Sequence, residues 1–448
     1  MIKKKYRILF LVILFTIFRI FLAGHLGLGD DEAYYWEWTR HLSTGYFDHP
    51  PFIAYIIYIF CFVFGKNELA VRLGSIIFFA LTSYFVYKIS IEMFKDETRA
   101  FYSVLLLNIT PVFAAGAFMA FPDTPLGFFW TAGISIIYKI IKTGKSWLWY
   151  LSGVLCGFGM LSKYSAVLFP FSVLFFLIFS KEQRFWLKRK EPYLAGLLAL
   201  IIFSPVLIWN INNHWASFGF QLKHGLASKT NGFSLKNLEN FGFLLGSQLL
   251  YFSPLLSIFL FYAIYKTFKD GITMKNNNYL LLSSFAIPTM VLFNIAGILK
   301  RTMPHWTSMG FISAIIALPD LAENMKEKYP EKIKIFSLIT ISLAVVITSI
   351  ITIQTLYPLL PLKPKYDVTN DLYGWPQAGF KAAKIKEKME RESKKEIVYL
   401  NHFHLVTCQL AFYLPDEKKI NENDVNVYNL SNRISQYNFW FDTSLTVK

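Results

Sequence analysis

The stretch ILFLVILFTIFRIFLAGHL at residues 8–26 decides the fold class, because its 19 residues contain one strongly basic side chain, Arg19, and no acidic one. A helix needs roughly 20 mostly apolar residues to cross the hydrocarbon core of a bilayer. MIKKKYR precedes the stretch, and no small-residue cleavage site follows it before the next element, which favours a membrane anchor over a signal peptide. The N-terminal pattern therefore predicts a membrane protein.

The rest of the chain repeats this pattern. Of its 448 residues, 54% are hydrophobic and 17% are charged, whereas soluble proteins carry about 25% charged residues. This balance argues against a soluble enzyme and against a disordered chain. We predict an α-helical polytopic membrane protein with about eleven transmembrane helices plus interfacial helices. The ten further predicted spans are residues 69–93, 98–119, 125–142, 146–162, 164–180, 192–210, 241–267, 278–297, 302–320 and 333–357.

The apolar stretch 51–65 is predicted to lie in the membrane interface or to re-enter the membrane, because about 15 residues are too few for a span. If it does not cross, 22 of the 45 basic residues fall in loops on the side of the N-terminus, and nine fall in the opposite loops. Cytoplasmic loops are enriched in Lys and Arg, so we expect a cytoplasmic N-terminus. This distribution accounts for the net charge of +16 without a nucleic-acid partner.

Residues 358–448, after the last predicted span, have a different composition. The stretch KAAKIKEKMERESKKE (381–396) predicts a charged helix, whereas EIVYL (396–400) and LAFYLP (410–415) predict strands. We therefore expect a small C-terminal α/β domain docked on the extracytoplasmic face.

Polar side chains collect in the outer loops of residues 1–357, the predicted transmembrane catalytic domain. The first outer loop, 27–68, contains GDDEAYYWEW (29–38) and GYFDHPP (45–51). Ionisable groups at membrane depth are costly and commonly functional, so their convergence on one face predicts an extracytoplasmic active site. The other polar motifs on that side are MAFPDTPLGFFWT (119–131), LSKYSAVL (161–168) and LKRTMPHW (299–306).

A helix over residues 31–43 places a carboxylate beside aromatic rings. Side chains at i, i+3, i+4 and i+7 share one helical face, here Asp31, Tyr34, Tyr35 and Trp38. An acid beside aromatic rings suits a sugar hydroxyl and the pyranose ring that carries it, although an interfacial helix with an aromatic belt explains the same pattern. Further sugar or acceptor contacts are predicted for Tyr46, Gln221 and His224.

The remaining acidic candidates lie close to prolines. Asp48 and His49 precede two prolines, which favour an extended backbone before them. This segment is predicted either to place Asp48 and His49 in the same cavity as Asp31 or to form only a rigid turn. Asp123 lies at the outer end of a predicted span, where it contacts substrate or caps a helix. With the acidic pair in the first outer loop, the predicted catalytic side chains are Asp31, Glu32, Asp48, His49 and Asp123.

Several basic side chains lie in the predicted outer loops, although Lys and Arg are normally enriched in cytoplasmic loops. Basic groups near a membrane surface suit a phosphate or pyrophosphate lipid head, although snorkelling and outer headgroups are alternatives. The predicted donor-phosphate ligands are Arg72, Lys163, Lys300, Arg301 and His305.

The scattered carboxylates define no metal site, so the need for a divalent metal stays open. The chain has no nucleotide-binding loop motif that would favour a cytosolic nucleotide.

The order and common side of these motifs resemble the lipid-phosphate-sugar-dependent glycosyltransferases of the GT-C fold. The nearest group in that resemblance holds the lipid A aminoarabinose transferases and bacterial relatives of protein O-mannosyltransferases. The match covers residues 1–357, and DLYGWPQ (371–377), LAFYLP and SQYNFW (435–440) resemble the C-terminal region of one bacterial subset. The aminoarabinose enzymes have Glu-Lys where this chain has Asp48-His49, so it departs from them there.

The resemblance implies transfer of a sugar from a polyprenyl-phosphate donor outside the cytoplasmic membrane. The acceptor is a hydroxyl or phosphate of an envelope molecule: lipid A, another lipid or glycan, or a protein. In this family the first acid of the Asp-Glu pair is the base, which implies Asp31 as the base of an inverting displacement. Two alternatives are a flippase for lipid-linked sugars and an O-antigen-ligase-like enzyme with a pyrophosphate donor. A flippase is expected to carry mid-span acids and repeated halves, which this sequence lacks.

Overall fold

The computed structural model describes residues 4–225, 235–363, 367, 369–395, 397, 399–401, 403–414, 427–429 and 434–440. Within these ranges the chain is almost entirely helical. The first ten helices are α1 Lys4–His25, α2 Asp30–Trp38, α3 Phe52–Phe64, α4 Glu68–Phe94, α5 Glu97–Ile109, α6 Pro111–Gly116, α7 Asp123–Thr143, α8 Leu148–Ser162, α9 Leu168–Phe179 and α10 Glu191–Asn212.

The remaining helices extend to the C-terminal region. They are α11 Ala216–Gly225, α12 Leu235–Tyr251, α13 Pro254–Thr273, α14 Asn277–Leu299, α15 Ser308–Lys326, α16 Pro330–Leu356, α17 Trp375–Ser393, α18 His404–Tyr413 and α19 Tyr437–Trp440. Short 3₁₀ helices lie at Thr39–His41, Tyr164–Val167, Arg184–Lys188, Pro304–Thr307 and Asn370–Leu372. Strands β1 Tyr399–Asn401 and β2 Val427–Asn429 pair in parallel.

Six helices in the described part of the chain are long and apolar enough to cross a membrane: α1, α4, α7, α10, α14 and α16. The bent pair of α12 and α13 makes a seventh if it is one span. The prediction of an α-helical polytopic membrane protein is therefore confirmed. The count of eleven spans stays a prediction, because the other predicted segments are helical but shorter, broken or more polar.

Two of the predicted spans are interrupted by a break between two helices. Residues 98–119 divide into α5 and α6 because Pro111 has no N–H to donate to the preceding turn. The predicted span 241–267 is divided between α12 and α13, so it stays a prediction that these two helices together make one span. Ser253 has a φ of 71°, and α12 and α13 meet there at 107°.

The first outer loop is anchored to the helices on both sides of it. Helix α3 has 13 residues, roughly 20 Å, so it is shorter than a span, as expected of the stretch 51–65. Its first half is buried, and it packs on α4. Helix α4 begins after Asn67, whose side chain accepts a hydrogen bond from the Ala70 N–H at 2.9 Å and so caps the helix. The loop is therefore held against the N-terminal end of α4.

The C-terminal region packs on the first outer loop, since α18 lies against α2. The predicted charged helix is present as α17. The prediction of a strand at 410–415 is wrong, because residues 404–413 form α18 and residue 415 lies outside the described residues. The described strands are a single pair of three residues each, so the α/β class of this region stays a prediction.

Candidate functional site

Glu32 and Arg72 form an ion pair that is completely buried. Arg72 Nη2 lies 2.5 Å from Glu32 Oε2, and Arg72 Nε lies 2.8 Å from Oε1. The other guanidinium N–H groups donate to three backbone carbonyls in and just after the last turn of α1: those of Ala23, Leu26 and Gly27. All five donors of Arg72 therefore have acceptors inside the protein.

Both oxygens of the Glu32 carboxylate also accept hydrogen bonds inside the protein. Besides Arg72, it accepts hydrogen bonds from the Gly29 N–H at 2.9 Å and the Ala120 N–H at 2.8 Å. These bonds fix the start of α2 beside the loop that leads into α7. Because neither side chain is exposed, the structure corrects two predictions. Arg72 has no N–H left for a donor phosphate, and Glu32 is not accessible to a substrate.

The aromatic side chains of α2 form a core rather than a sugar-binding wall. Tyr34, Tyr35 and Trp38 are buried, and Trp38 stacks on Tyr46 with ring centroids 4.2 Å apart. The Tyr46 hydroxyl donates to the carbonyls of Trp38 and His41. The prediction that these four rings contact sugar or acceptor is therefore corrected, because their faces pack against other side chains.

Asp31 is exposed, in contrast to its neighbour Glu32. It lies in the first turn of α2, where the helix dipole favours a negative charge. The helix predicted over 31–43 is therefore present as α2 and the 3₁₀ helix Thr39–His41, so it begins one residue earlier and ends two residues earlier than expected. The exposure leaves Asp31 as the accessible carboxylate of the Asp31–Glu32 pair.

Asp48 is buried, and its surroundings hold it in one orientation. The Tyr34 hydroxyl donates to Asp48 Oδ2 at 2.7 Å, and Gln221 Nε2 donates to the Asp48 carbonyl at 2.5 Å. The next residue, His49, lies against the ring of Tyr35, with centroids 6.0 Å apart. Gln221 thus belongs to the frame of the Asp48 loop. The side chain of His224, also predicted to bind substrate, lies outside the described part of the structure.

Asp123 and Lys163 form a second ion pair, and this pair is accessible. Lys163 Nζ donates to both carboxylate oxygens of Asp123, at 2.8 and 2.7 Å. The side chains are 13% exposed for Lys163 and 28% for Asp123. His49 and His305 lie within electrostatic reach of Asp123. Four predicted site residues are therefore brought together here.

His305 is in the 3₁₀ helix Pro304–Thr307, outside the helices that are long enough to cross a membrane. Burial lowers its pKa to about 4, although the Asp123 carboxylate acts in the opposite direction. The imidazole is therefore neutral at pH 7. A neutral imidazole contacts a phosphate as a hydrogen-bond donor rather than as a cation.

Lys300 and Arg301 lie on the loop before this 3₁₀ helix. Lys300 Nζ is 3.5 Å from the Lys223 carbonyl, and the Arg301 guanidinium lies 3.5 Å from the ring centroid of Phe243. Arg301 is exposed. The two residues remain candidates for contacts to an anionic ligand.

Among the described residues, no group of three or more His, Cys, Asp or Glu side chains is placed to hold a metal ion.

Sequence reasoning missed the contribution of the C-terminal region to this site. Gln409 Nε2 donates to the Leu28 carbonyl at 2.9 Å and to Asp30 Oδ1 at 3.1 Å. Gln436 accepts a hydrogen bond from the Phe47 N–H at 2.7 Å. The motif SQYNFW at 435–440 was the available signal, but nothing in one sequence pairs residue 436 with residue 47.

Similarity to known proteins supports the GT-C interpretation. Residues 48–209 match the family model described as dolichyl-phosphate-mannose-protein mannosyltransferase. The lipid A galacturonosyltransferase RgtD of Rhizobium johnstonii is 20% identical over 325 residues, 69% of this chain and 64% of the relative. The undecaprenyl phosphate-alpha-4-amino-4-deoxy-L-arabinose arabinosyl transferase of Erwinia tasmaniensis is 26% identical over 174 residues, 37% of this chain and 30% of the relative. The chain thus spans less than two thirds of these relatives.

Solved structures share the fold over most of the chain. ArnT from Cupriavidus metallidurans bound to undecaprenyl phosphate has a TM-score of 0.67 at 15% identity, covering 96% of this chain and 87% of ArnT. An oligosaccharyltransferase from Archaeoglobus fulgidus has a TM-score of 0.59 at 14% identity, covering 96% and 64%. The predicted resemblance to GT-C glycosyltransferases, and to the lipid A aminoarabinose transferases among them, is confirmed. The chain is a multi-pass membrane protein with this fold.

Proposed function

We propose that the protein is a membrane glycosyltransferase that moves a sugar from a polyprenyl-phosphate donor to an envelope acceptor. The observation that carries the proposal is the arrangement of one exposed carboxylate, Asp31, and one accessible ion pair, Asp123–Lys163. The bond from the Ala120 N–H to Glu32 joins the elements that bear them. Asp31 is the residue directly before Glu32, and Asp123 lies three residues after Ala120.

The proposed reaction is a direct displacement with inversion. Asp31 takes the proton of the acceptor hydroxyl, and the acceptor oxygen forms a bond to the anomeric carbon. The bond between that carbon and the phosphate oxygen breaks, and the polyprenyl phosphate leaves with the electron pair. A general base contributes typically 10²–10⁴-fold to such a rate. A polyprenyl phosphate is a good leaving group, so its stabilisation needs cationic and N–H contacts rather than a strong acid.

Lys163 and His305 are the proposed contacts to the leaving phosphate. Both lie beside Asp123, and the paired ammonium becomes a phosphate ligand when the donor displaces that carboxylate. Lys300 and Arg301 supply positive charge at the entrance. The buried carboxylate of Asp48, with its neighbour His49, orients the sugar or the acceptor.

The finer topology belongs to the same proposal. We place the N-terminus in the cytoplasm, and the site and the C-terminal α/β domain outside the inner membrane, because the basic loops mark the cytoplasmic side. Eleven spans and an interfacial α3 fit this placement. The named relatives act on lipid A or use an undecaprenyl-phosphate sugar, which supports a donor and an acceptor of these classes. The identity of the sugar and of the acceptor rests on these names alone.

The test is transfer of labelled sugar by the purified protein in proteoliposomes. We expect Asp31→Asn to reduce turnover from a polyprenyl-monophosphate sugar about 10²–10⁴-fold, because the amide cannot take the acceptor proton. Asp371→Asn is the matched control, since Asp371 is also an exposed aspartate in a first helical turn. Near-normal turnover in Asp31→Asn removes Asp31 as the base. Transfer only from pyrophosphate donors favours the ligase-like alternative, and lipid translocation without transfer favours a flippase.

A further inference from the structure

The loop that carries Asp48 is closed by residues from the far end of the chain. The Phe47 N–H donates to Gln436 Oε1 at 2.7 Å, and the Gln436 N–H donates to the Tyr34 hydroxyl, also at 2.7 Å. The same hydroxyl donates its proton to Asp48 Oδ2 at 2.7 Å. One glutamine therefore holds the Asp48 loop twice, through its backbone and through its side chain.

Aromatic packing by two residues shortly after Gln436 supports these hydrogen bonds. Phe439 stacks on Phe47 with ring centroids 5.5 Å apart, and Trp440 lies 4.6 Å from the ring of His41. Gln436 itself is 2% exposed. A buried residue whose side chain holds the Phe47 N–H and whose backbone N–H holds the Tyr34 hydroxyl transmits its position to the Asp48 loop, because an unmade hydrogen bond at such depth is costly.

We infer that Gln436 is a positioning residue for Asp48, so that the C-terminal segment 434–440 forms an integral part of the catalytic centre. The inference rests on the proposed function, in which Asp48 orients the sugar or the acceptor. Gln436 acts on Asp48 through two routes, the Tyr34 hydroxyl and the backbone of Phe47. It does not contact the donor phosphate, whose proposed ligands surround Asp123.

The first experiment measures hydrogen–deuterium exchange of the full-length protein in detergent. Gln436→Met keeps the length of the side chain and removes the acceptor for the Phe47 N–H. We expect exchange in the peptide containing residues 45–49 to accelerate at least tenfold, with no change in peptides from α14. Gln377→Met is the matched control, because Gln377 is an exposed glutamine at the start of α17. Unchanged exchange at 45–49 overturns the inference.

The second experiment measures turnover in proteoliposomes together with binding of a polyprenyl monophosphate. For Gln436→Met we expect kcat to fall about tenfold and the Kd of the lipid phosphate to stay within twofold. In an Asp48→Asn background the same substitution is expected to reduce kcat less than threefold, because the oriented carboxylate is already absent. An equal loss of kcat in both backgrounds shows a general structural role and overturns the inference.

Tyr34→Phe tests the same connection if Gln436→Met does not fold. It removes the hydroxyl shared by Asp48 and the Gln436 N–H, and we expect the same faster exchange and the same dependence on Asp48. A wild-type protein that transfers no sugar from any lipid-linked donor overturns the proposed function. The exchange result, which needs no turnover, separates that failure from a failure of the contact between Gln436 and the Asp48 loop.

Discussion

The candidate site contains two ion pairs, each of one acidic and one basic side chain, and the two pairs differ in their surroundings. In the sealed pair, Glu32–Arg72, neither side chain is exposed, and all five N–H donors of the arginine are used. In the open pair, Asp123–Lys163, both side chains are partly exposed, and among the described residues the lysine ammonium donates hydrogen bonds only to the Asp123 carboxylate. The sealed pair holds the loop in place, whereas the open pair has room to exchange partners with a ligand.

Removal of one partner from the sealed pair is the largest effect we expect. Arg72→Met leaves Glu32 as an uncompensated buried charge, which costs about 3–5 kcal/mol of folding stability. The measurement is thermal unfolding in detergent. Lys326→Met is the control, because its pair with Glu323 is about half exposed and such pairs contribute about 0–1 kcal/mol. Equal melting temperatures for Arg72→Met and the wild type contradict a structural role for the sealed pair.

The sequence indicated both pairs as functional because it shows residue types and sidedness but not burial. Glu32 follows directly after Asp31, so the two acids looked alike until the structure placed Glu32 against Arg72 and left the side chain of Asp31 exposed. The helical membrane fold and the motif order were predictable from hydropathy and spacing. The break at Ser253 depends on one residue with positive φ, which hydropathy does not register.

The rings of α2 show a second limit of sequence reasoning. Helical spacing correctly brought Tyr34, Tyr35 and Trp38 together, but spacing does not say whether a face meets a ligand or another part of the protein. Here the C-terminal region covers the helix: Phe412 lies 4.9 Å from Trp36 and His404 lies 5.1 Å from Tyr34. Contacts between residues about 370 positions apart leave no periodic signal in one sequence.

The open pair is expected to control turnover rather than stability. Lys163→Met removes the ammonium proposed to contact the leaving phosphate, so transfer falls about 10²–10³-fold. The melting temperature changes little, because a partly exposed pair contributes about 0–1 kcal/mol. Turnover and thermal unfolding of the same preparation check both statements. If Lys163→Met instead loses much stability while its folded fraction keeps normal specific activity, Lys163 has a structural role like that of the sealed pair.

The open pair also has a titratable neighbour. The pKa of His305 lies near 4, below the ordinary value of about 6.5, because burial disfavours the charged ring. Between these values the unfolded chain binds a proton that the folded chain does not, so stability falls as the pH drops from about 6.5 to 4. At pH 5 the loss attributable to His305 is about 1–2 kcal/mol after allowance for solvent screening.

Melting temperatures at pH 7.5 and pH 5 check this dependence. His305→Asn cannot titrate in this range, so it is expected to lose less stability than the wild type on acidification. His25→Asn, which changes an exposed histidine at the end of α1, is the control and should follow the wild type. The same loss in His305→Asn as in the wild type rules out a buried neutral imidazole at position 305.

The smallest expected effect concerns the acid of the open pair. Because Lys163 donates to both oxygens of Asp123, an arriving phosphate has to displace that carboxylate. Asp123→Asn removes the competitor and leaves the ammonium in place. We expect polyprenyl monophosphate to bind about fivefold more tightly, roughly 1 kcal/mol, as measured by native mass spectrometry or a fluorescence titration. Asp371→Asn should leave the Kd unchanged.

A weaker affinity in Asp123→Asn carries the opposite meaning. Asp123 would then hold Lys163 in the orientation that the phosphate needs, as the carbonyls of α1 and Glu32 hold Arg72. The open pair would resemble the sealed pair in kind and differ from it only in exposure. Tighter binding instead means that the carboxylate occupies the phosphate position until the donor arrives. The sign of this small change therefore decides whether partial exposure of an ion pair marks a site for ligand exchange or only a less buried structural contact.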